Sequence, residues 1–186
     1  GPSWFGFHQD WFYWSWTSPM AHLTCWIALD DATVDNGCLQ YVPGSHRWGL
    51  LPAIPGDCSP ALDAVKAVLS KDQASAVDNA DRVETRKGFA TFHHPLTLHG
   101  SDNNTTDAPR RAAVINGIRD GVLSNCVAEP AFLGSFPFVP QGKPMGRADD
   151  ESDRMYPLLL GGSDETSAGM ERVRGPGPDV LGRLPR

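Results

Sequence analysis

Turn residues decide what this chain can fold into. The 19 glycines and 16 prolines among 186 residues exceed ordinary usage and interrupt the apolar runs every few positions. Long helices are thereby excluded, and short strands joined by turns remain. Residues 22–29, 38–42, 82–86, 89–93 and 111–118 each read as such a strand. Between the first two lies a polar turn ending in Asn36-Gly37; Pro43-Gly44-Ser45-His46 stops the second, and Lys87-Gly88 separates the third from the fourth. One helix is predicted, with Ser59 as N-cap, Pro60 as first residue, and Leu62, Val65, Val68 and Leu69 at helical spacing.

With 40% hydrophobic and 20% charged residues, the chain has enough apolar content to order a core, and its length suits one domain. The division expected is a β core over residues 1–120, followed by a Pro/Gly-rich extension over residues 121–186 that packs on it or is partly mobile. A formal net charge of -6 without a Lys/Arg cluster argues against a general nucleic-acid binder. No apolar run approaches the roughly 18 residues of a membrane span, and residues 1–4 lack the pattern of a signal peptide. Cys25, Cys38, Cys58 and Cys126 show no C-x-x-C spacing. They read as reduced thiols of a cytoplasmic protein, with a disulfide left open.

Two short segments carry chemistry. His8-Gln9-Asp10 places an imidazole and a carboxylate at i and i+2, which share a face if the segment is extended. His99 follows 91 residues later in Thr97-Leu98-His99-Gly100-Ser101, and Arg110 another 11 residues on. Two histidines and a carboxylate on one face of an octahedron leave three positions open, the facial triad of non-haem Fe(II) oxygenases. A keto acid can take two of those positions and O2 the third. A buried arginine suits the distal carboxylate.

Read together, the motifs resemble the phytanoyl-CoA dioxygenase-like branch of the Fe(II)/2-oxoglutarate oxygenases. The resemblance spans roughly residues 5 to 120. It rests on His8-Gln9-Asp10, Thr17-Ser18-Pro19, Trp26 through Asp31-Ala32-Thr33, Asn36-Gly37-Cys38-Leu39, Pro43-Gly44-Ser45-His46, and His99-Gly100-Ser101 with Asn104 and Arg110-Arg111, in that order. It implies a mostly β fold, a double-stranded β-helix (a jelly-roll or cupin-like barrel) with few helices. It implies that His8, Asp10 and His99 bind Fe(II), that Arg110 pairs with 2-oxoglutarate with Ser101 donating beside it, and that Thr17 and Trp26 line the cosubstrate pocket. Arg111 is expected on the surface. Because Asp10 is present, the resemblance points to hydroxylation of a small-molecule substrate with O2 as second cosubstrate, rather than halogenation.

Family members carry a long stretch before the H-x-D motif, whereas His8 stands almost first here. The chain is therefore expected to lack the first strand and supporting helices, leaving a sheet edge and an apolar face open to self-association. A truncated or degenerate barrel that binds a ligand without oxidising it is the alternative, and a hydrolytic zinc site a third reading. Several residues stay open. Trp11, Phe12, Tyr13, Trp14 and Trp16 suit a pocket wall, core packing or a docking surface. His93 and His94 suit either support of the site or simple packing, and either could replace His99 as ligand if the register slipped. His22 and His46 read as structural, and Asp149, Asp150, Glu151 and Asp153 as a solvated acidic loop.

Overall fold

The computed structural model describes residues 5–52, 62–127 and 139–145. Nine short strands and three short helices make up these parts: β1 (Phe5–His8), α1 (Trp11–Trp14), β2 (Thr17–Ser18), β3 (His22–Ala28), β4 (Leu39–Tyr41), α2 (Leu62–Ala67), α3 (Lys71–Asp78), β5 (Asp81–Val83), β6 (Ala90–His93), β7 (His99–Ser101), β8 (Ala112–Ile118) and β9 (Leu123–Ser124). A 3-10 turn over Ser45–Trp48 follows β4.

The strands form antiparallel sheets of order β1-β7-β4-β5 and β6-β3-β8, with a β2-β9 pair beside them. This is the double-stranded β-helix. Its two halves are visible in the side-chain alternation. Phe7 of β1, Leu98 just before β7 and Val42 just beyond β4 join Val65 of α2 and Val77 of α3 in one buried cluster. The intervening positions, His8, His99 and Tyr41, project from the opposite face, as a period of two requires. Facing them, β3 turns Thr24, Trp26 and Ala28 inward, and Trp26 and Ala28 pack with Ala32, Cys38 and Leu39. Its other face carries Leu23, 49% exposed, opposite Gly117 of β8, and Cys25, opposite Phe92 and Ile115.

Two glycines are dictated by this packing. Gly37 has φ +82°, and a Cβ there would lie 2.4 Å from the Asp102 carbonyl oxygen, so the Asn36-Gly37 turn admits no side chain. Gly100 lets β1 approach β7, since a Cβ would lie 2.9 Å from the Phe5 carbonyl oxygen.

The proposed Ser59-Pro60 cap lies outside the described residues, as do Cys58 and the acidic loop. Cys25, Cys38 and Cys126 are free thiols. The helix α3 is additional to the one helix the sequence predicts, although Ser70 and Gln73 form a capping box that ordinary N-cap logic detects. Lys87-Gly88 is a turn, but β5 and β6 on its two sides belong to different sheets, so the segment crosses the barrel. Beyond β9, Val139 and Met145 bury against Val122, with Trp16, Ala21 and Ile118 around them. No helix among the described residues is long and apolar enough to cross a membrane.

Candidate metal centre

Strand pairing brings together what 91 residues separate. His8 and His99 are direct partners across the β1–β7 pair, and their ring centroids lie 4.3 Å apart. Phe5 faces Ser101 in the same pair, so β1 uses one more residue than β7 over that interval, which is a β-bulge next to the site. Asp10 arrives differently from expectation. The strand stops at His8, and Asp10 has helical dihedrals (φ -59°, ψ -31°) as the N-cap residue of α1. Its carboxylate therefore meets His8 through a turn in the chain and not through the two-residue repeat of a strand.

Gln9 fixes that turn. It is buried; its Nε2 donates to the Gly49 and Leu96 carbonyls at 2.9 and 2.8 Å, and its Oε1 accepts from Leu51 N at 2.8 Å. Trp11 N donates to the Pro95 carbonyl at 2.9 Å. The segment bearing His8 and Asp10 is thus stitched to the loop that leads into His99.

The three ligand atoms converge. His8 Nε2 lies 3.5 Å and His99 Nε2 3.7 Å from Asp10 Oδ1, and all three atoms lie within 4.8 Å of one another. The far side of each imidazole is tied down. His8 Nδ1 is 2.8 Å from the Gly6 carbonyl and His99 Nδ1 2.9 Å from the Thr97 carbonyl. A carbonyl can only accept, so each Nδ1 carries the proton, and in the neutral ring Nε2 presents a lone pair. Burial, with His8 beside it, pushes the His99 pKa down to about 3, which keeps that ring neutral at pH 7. Burial would raise the Asp10 carboxyl, but the surrounding imidazoles, His8 and His93 foremost, and the Thr24 hydroxyl outweigh it and hold the pKa well below the usual carboxylate range. Two lone pairs and an anion therefore point at one small volume. A divalent cation at bond lengths of ~2.0–2.2 Å completes such a donor set, so these residues fit a metal ion.

Asp10 Oδ2 faces away from this volume. It accepts from Thr24 Oγ1 at 2.5 Å and from His93 Nε2 at 2.9 Å. Only the buried position of His93 in the fold reveals the second contact. The sequence leaves the role of His93 open, and nothing in it singles out Thr24.

On β7, Ser101 follows His99 on the same inward face. Its Oγ accepts from Phe5 N at 3.2 Å and from the Arg110 guanidinium at 3.4 Å. The hydroxyl proton is left to donate elsewhere. Arg110 is half-buried, its pKa lowered by burial, and among the described residues no carboxylate forms an ion pair with it. Arg111 next to it is exposed and grips Asp30 with both guanidinium ends at 2.8 Å. Arg110 lies two residues before β8, which begins at Ala112.

Thr17 and Trp26 stand apart from the ligand cluster. The Thr17 hydroxyl donates to the Trp14 carbonyl and lies 2.8 Å from His22 Nε2. Trp26 is packed among the small apolar residues of the interior. His22 has a buried Nδ1 without a partner, and burial pushes its pKa down to about 4 despite Asp10. The aromatic run divides: Tyr13 lies edge-on to His8 at 6.1 Å, Trp11 and Trp14 flank His22, and Phe12 is 47% exposed.

Comparison with known proteins agrees with this geometry. The profile of the phytanoyl-CoA dioxygenase (PhyH) family matches residues 1–112. The mouse phytanoyl-CoA dioxygenase domain-containing protein 1 is 32% identical over 113 residues, covering 59% of this chain and 37% of its own length. A methylphosphonate hydroxylase from Gimesia maris is 33% identical over 104 residues, covering 55% of this chain and 36% of its own length. The chain thus spans little more than a third of the curated relatives it matches. Among solved structures, the non-haem α-ketoglutarate-dependent epimerase SnoN from nogalamycin biosynthesis superposes with a TM-score of 0.56 at 27% identity, over 81% of this chain and 54% of that one. The same epimerase has been crystallised with Fe3+, α-ketoglutarate and nogalamycin RO. With more than half of its length matched by the family profile, the chain belongs to the phytanoyl-CoA dioxygenase family.

Proposed function

We propose that this chain forms the metal- and cosubstrate-binding part of an Fe(II)- and 2-oxoglutarate-dependent dioxygenase that hydroxylates a small organic molecule, releasing succinate and CO2. The observation that carries the reading is the convergence of His8 Nε2, Asp10 Oδ1 and His99 Nε2, each with its remaining polar atom engaged elsewhere. These three residues would hold the iron, which when bound supplies the activation of O2 that drives oxidative decarboxylation and oxygen transfer.

The residues of the chain place the reactants. Ser101 lies along β7 from His99, two residues or ~7 Å away on the same face, and the Arg110 guanidinium reaches its hydroxyl. A five-carbon keto diacid that chelates the metal at one end reaches such a distance with the other. Arg110 then supplies the charge and Ser101 a hydroxyl donor for the distal carboxylate. Trp26 contributes an apolar wall of the cosubstrate pocket, and Thr17 is the second residue assigned to that lining. Tyr13 and Phe5, edge-on to His8, border the approach to the metal.

Anaerobic titration of the metal-free chain with Fe(II) and 2-oxoglutarate tests this reading. A charge-transfer absorption that requires both, followed by succinate release on admission of O2, is the expected result. Binding of both without succinate would identify a ligand-binding barrel instead, and no Fe(II) binding would remove the oxygenase reading altogether.

A further inference from the structure

Asp10 has two oxygens, and the fold treats them differently. Resting on the metal-site reading above, we propose that His93 and Thr24 are positioning residues that hold Oδ2 of Asp10, so that the carboxylate meets the metal through Oδ1 alone and a third coordination position stays open.

The argument is one of lone pairs. A carboxylate oxygen offers two acceptor positions. Oδ2 receives the Thr24 hydroxyl at 2.5 Å and His93 Nε2 at 2.9 Å, so both are taken. Oδ1 faces His8 and His99. A bidentate Asp10 would occupy two positions beside the two imidazoles and leave two. A chelating keto acid would fill both, and O2 would have none.

The two donors are themselves held. His93, Thr24 and Asn116 are direct partners across β6, β3 and β8 and form one row on the same face of the sheet, buried at His93 and Thr24 and exposed at Asn116. Thr24 Oγ1 lies 2.9 Å from the Asn116 side-chain amide. The hydroxyl has a single proton and the carboxylate claims it, so Thr24 must accept from Asn116, with the amide turned to present its nitrogen. His93 gives its Nε2 proton to Asp10. In the neutral ring Nδ1 accepts, and the Tyr41 hydroxyl stands 3.4 Å away, itself 2.8 Å from Thr91 Oγ1. A polar chain thus runs from Thr91 through Tyr41 and His93 to Asp10 and out through Thr24 to Asn116. Every link converges on the oxygen that is not needed for the metal.

The test uses the whole chain in metal-free form, with Co(II) as the probe, read by its visible spectrum, and circular dichroism to confirm folding. His93→Phe and Thr24→Val are each expected to weaken Co(II) binding about 10–100-fold, the range for lost support of a metal ligand. His93→Gln keeps an N–H where Nε2 was, Thr24→Ser keeps the hydroxyl, and each is expected to stay within about threefold of wild type. The conservative rescues separate positioning from mere packing. Should His93→Phe fail to fold, Thr24→Val, nearly identical in shape to wild type, decides. Co(II) affinity at or above wild type in every folded Phe or Val variant overturns the proposal. Absence of Co(II) and Fe(II) binding by the wild-type chain overturns the metal site itself, and the two failures are distinct.

Discussion

Asp10 in the barrel and Asp30 on its rim are both held ionised well below the usual carboxylate range, for opposite reasons. Asp30 has its counter-charge built in: Arg111 grips both oxygens at 2.8 Å, and the Arg111 backbone N–H adds a third bond at 2.9 Å. Among the described residues, no arginine or lysine pairs with Asp10. Burial works against its charge, and imidazoles and a hydroxyl sustain it. The arginines are sorted in the same way, since Arg111 is neutralised while Arg110 faces Ser101 without a carboxylate among the described residues. A finished ion pair tethers two strands. An unfinished one, a carboxylate without a cation or a guanidinium without an anion, is a place where the protein expects something from outside.

Breaking the interior partner should cost most. Asp10→Ala is expected to lose metal binding and turnover altogether, as read by anaerobic metal titration; a variant that retained both would show the ligands to be elsewhere. Next comes the interior arginine. Truncating it leaves the distal carboxylate unpaired at a cost of about 3–5 kcal/mol in a buried site. Arg110→Ala should therefore weaken 2-oxoglutarate binding about a hundredfold or more, whereas Arg111→Ala should leave it within about twofold. Equal effects of the two substitutions in a titration would erase the distinction between them.

Acidification sharpens the comparison further. His99 and His22 titrate near 3 and 4 in the folded chain against 6.5 for a free imidazole. Below about pH 6.5 the unfolded state therefore binds protons that the folded state refuses, and stability falls as pH falls. His99 alone accounts for a loss of order 2 kcal/mol by pH 5. The thermal midpoint of the metal-free chain should drop accordingly between pH 7 and pH 5, and a flat profile would mean that these imidazoles are not buried neutral. The rim pair should matter least. Asp30→Asn removes a surface bridge, so metal binding should be unchanged and the midpoint should move by no more than about 2 °C. A larger shift would make the Asp30–Arg111 clip part of the support of the site.

Much of this was legible along the chain because it is local. Gly and Pro positions delimit the strands, and the alternation along β3 marks its inner face. Asn36-Gly37 is a turn because only glycine fits at φ +82° with the Asp102 carbonyl so near. Motif order was enough to pick out His8, Asp10 and His99, and the structure gathers those three. The local geometry was less legible. An H-x-D written as a strand is in fact a strand end followed by a helix cap, because Gln9 and Trp11 bond to the loop at residues 95–96. Nothing local announces α3 as a cover for the sheet, although its cap is written in Ser70 and Gln73.

What the sequence by itself determined, then, is the list of candidate ligand types and the short β elements near them, since residue chemistry and motif order are written along the chain. The register that sets His8 against His99, and the row of His93, Thr24 and Asn116 that occupies one oxygen of Asp10, were decided only in the tertiary structure. Each is a pairing between segments distant along the chain, and which partner a side chain meets is fixed by how sheets close on each other rather than by anything written beside it.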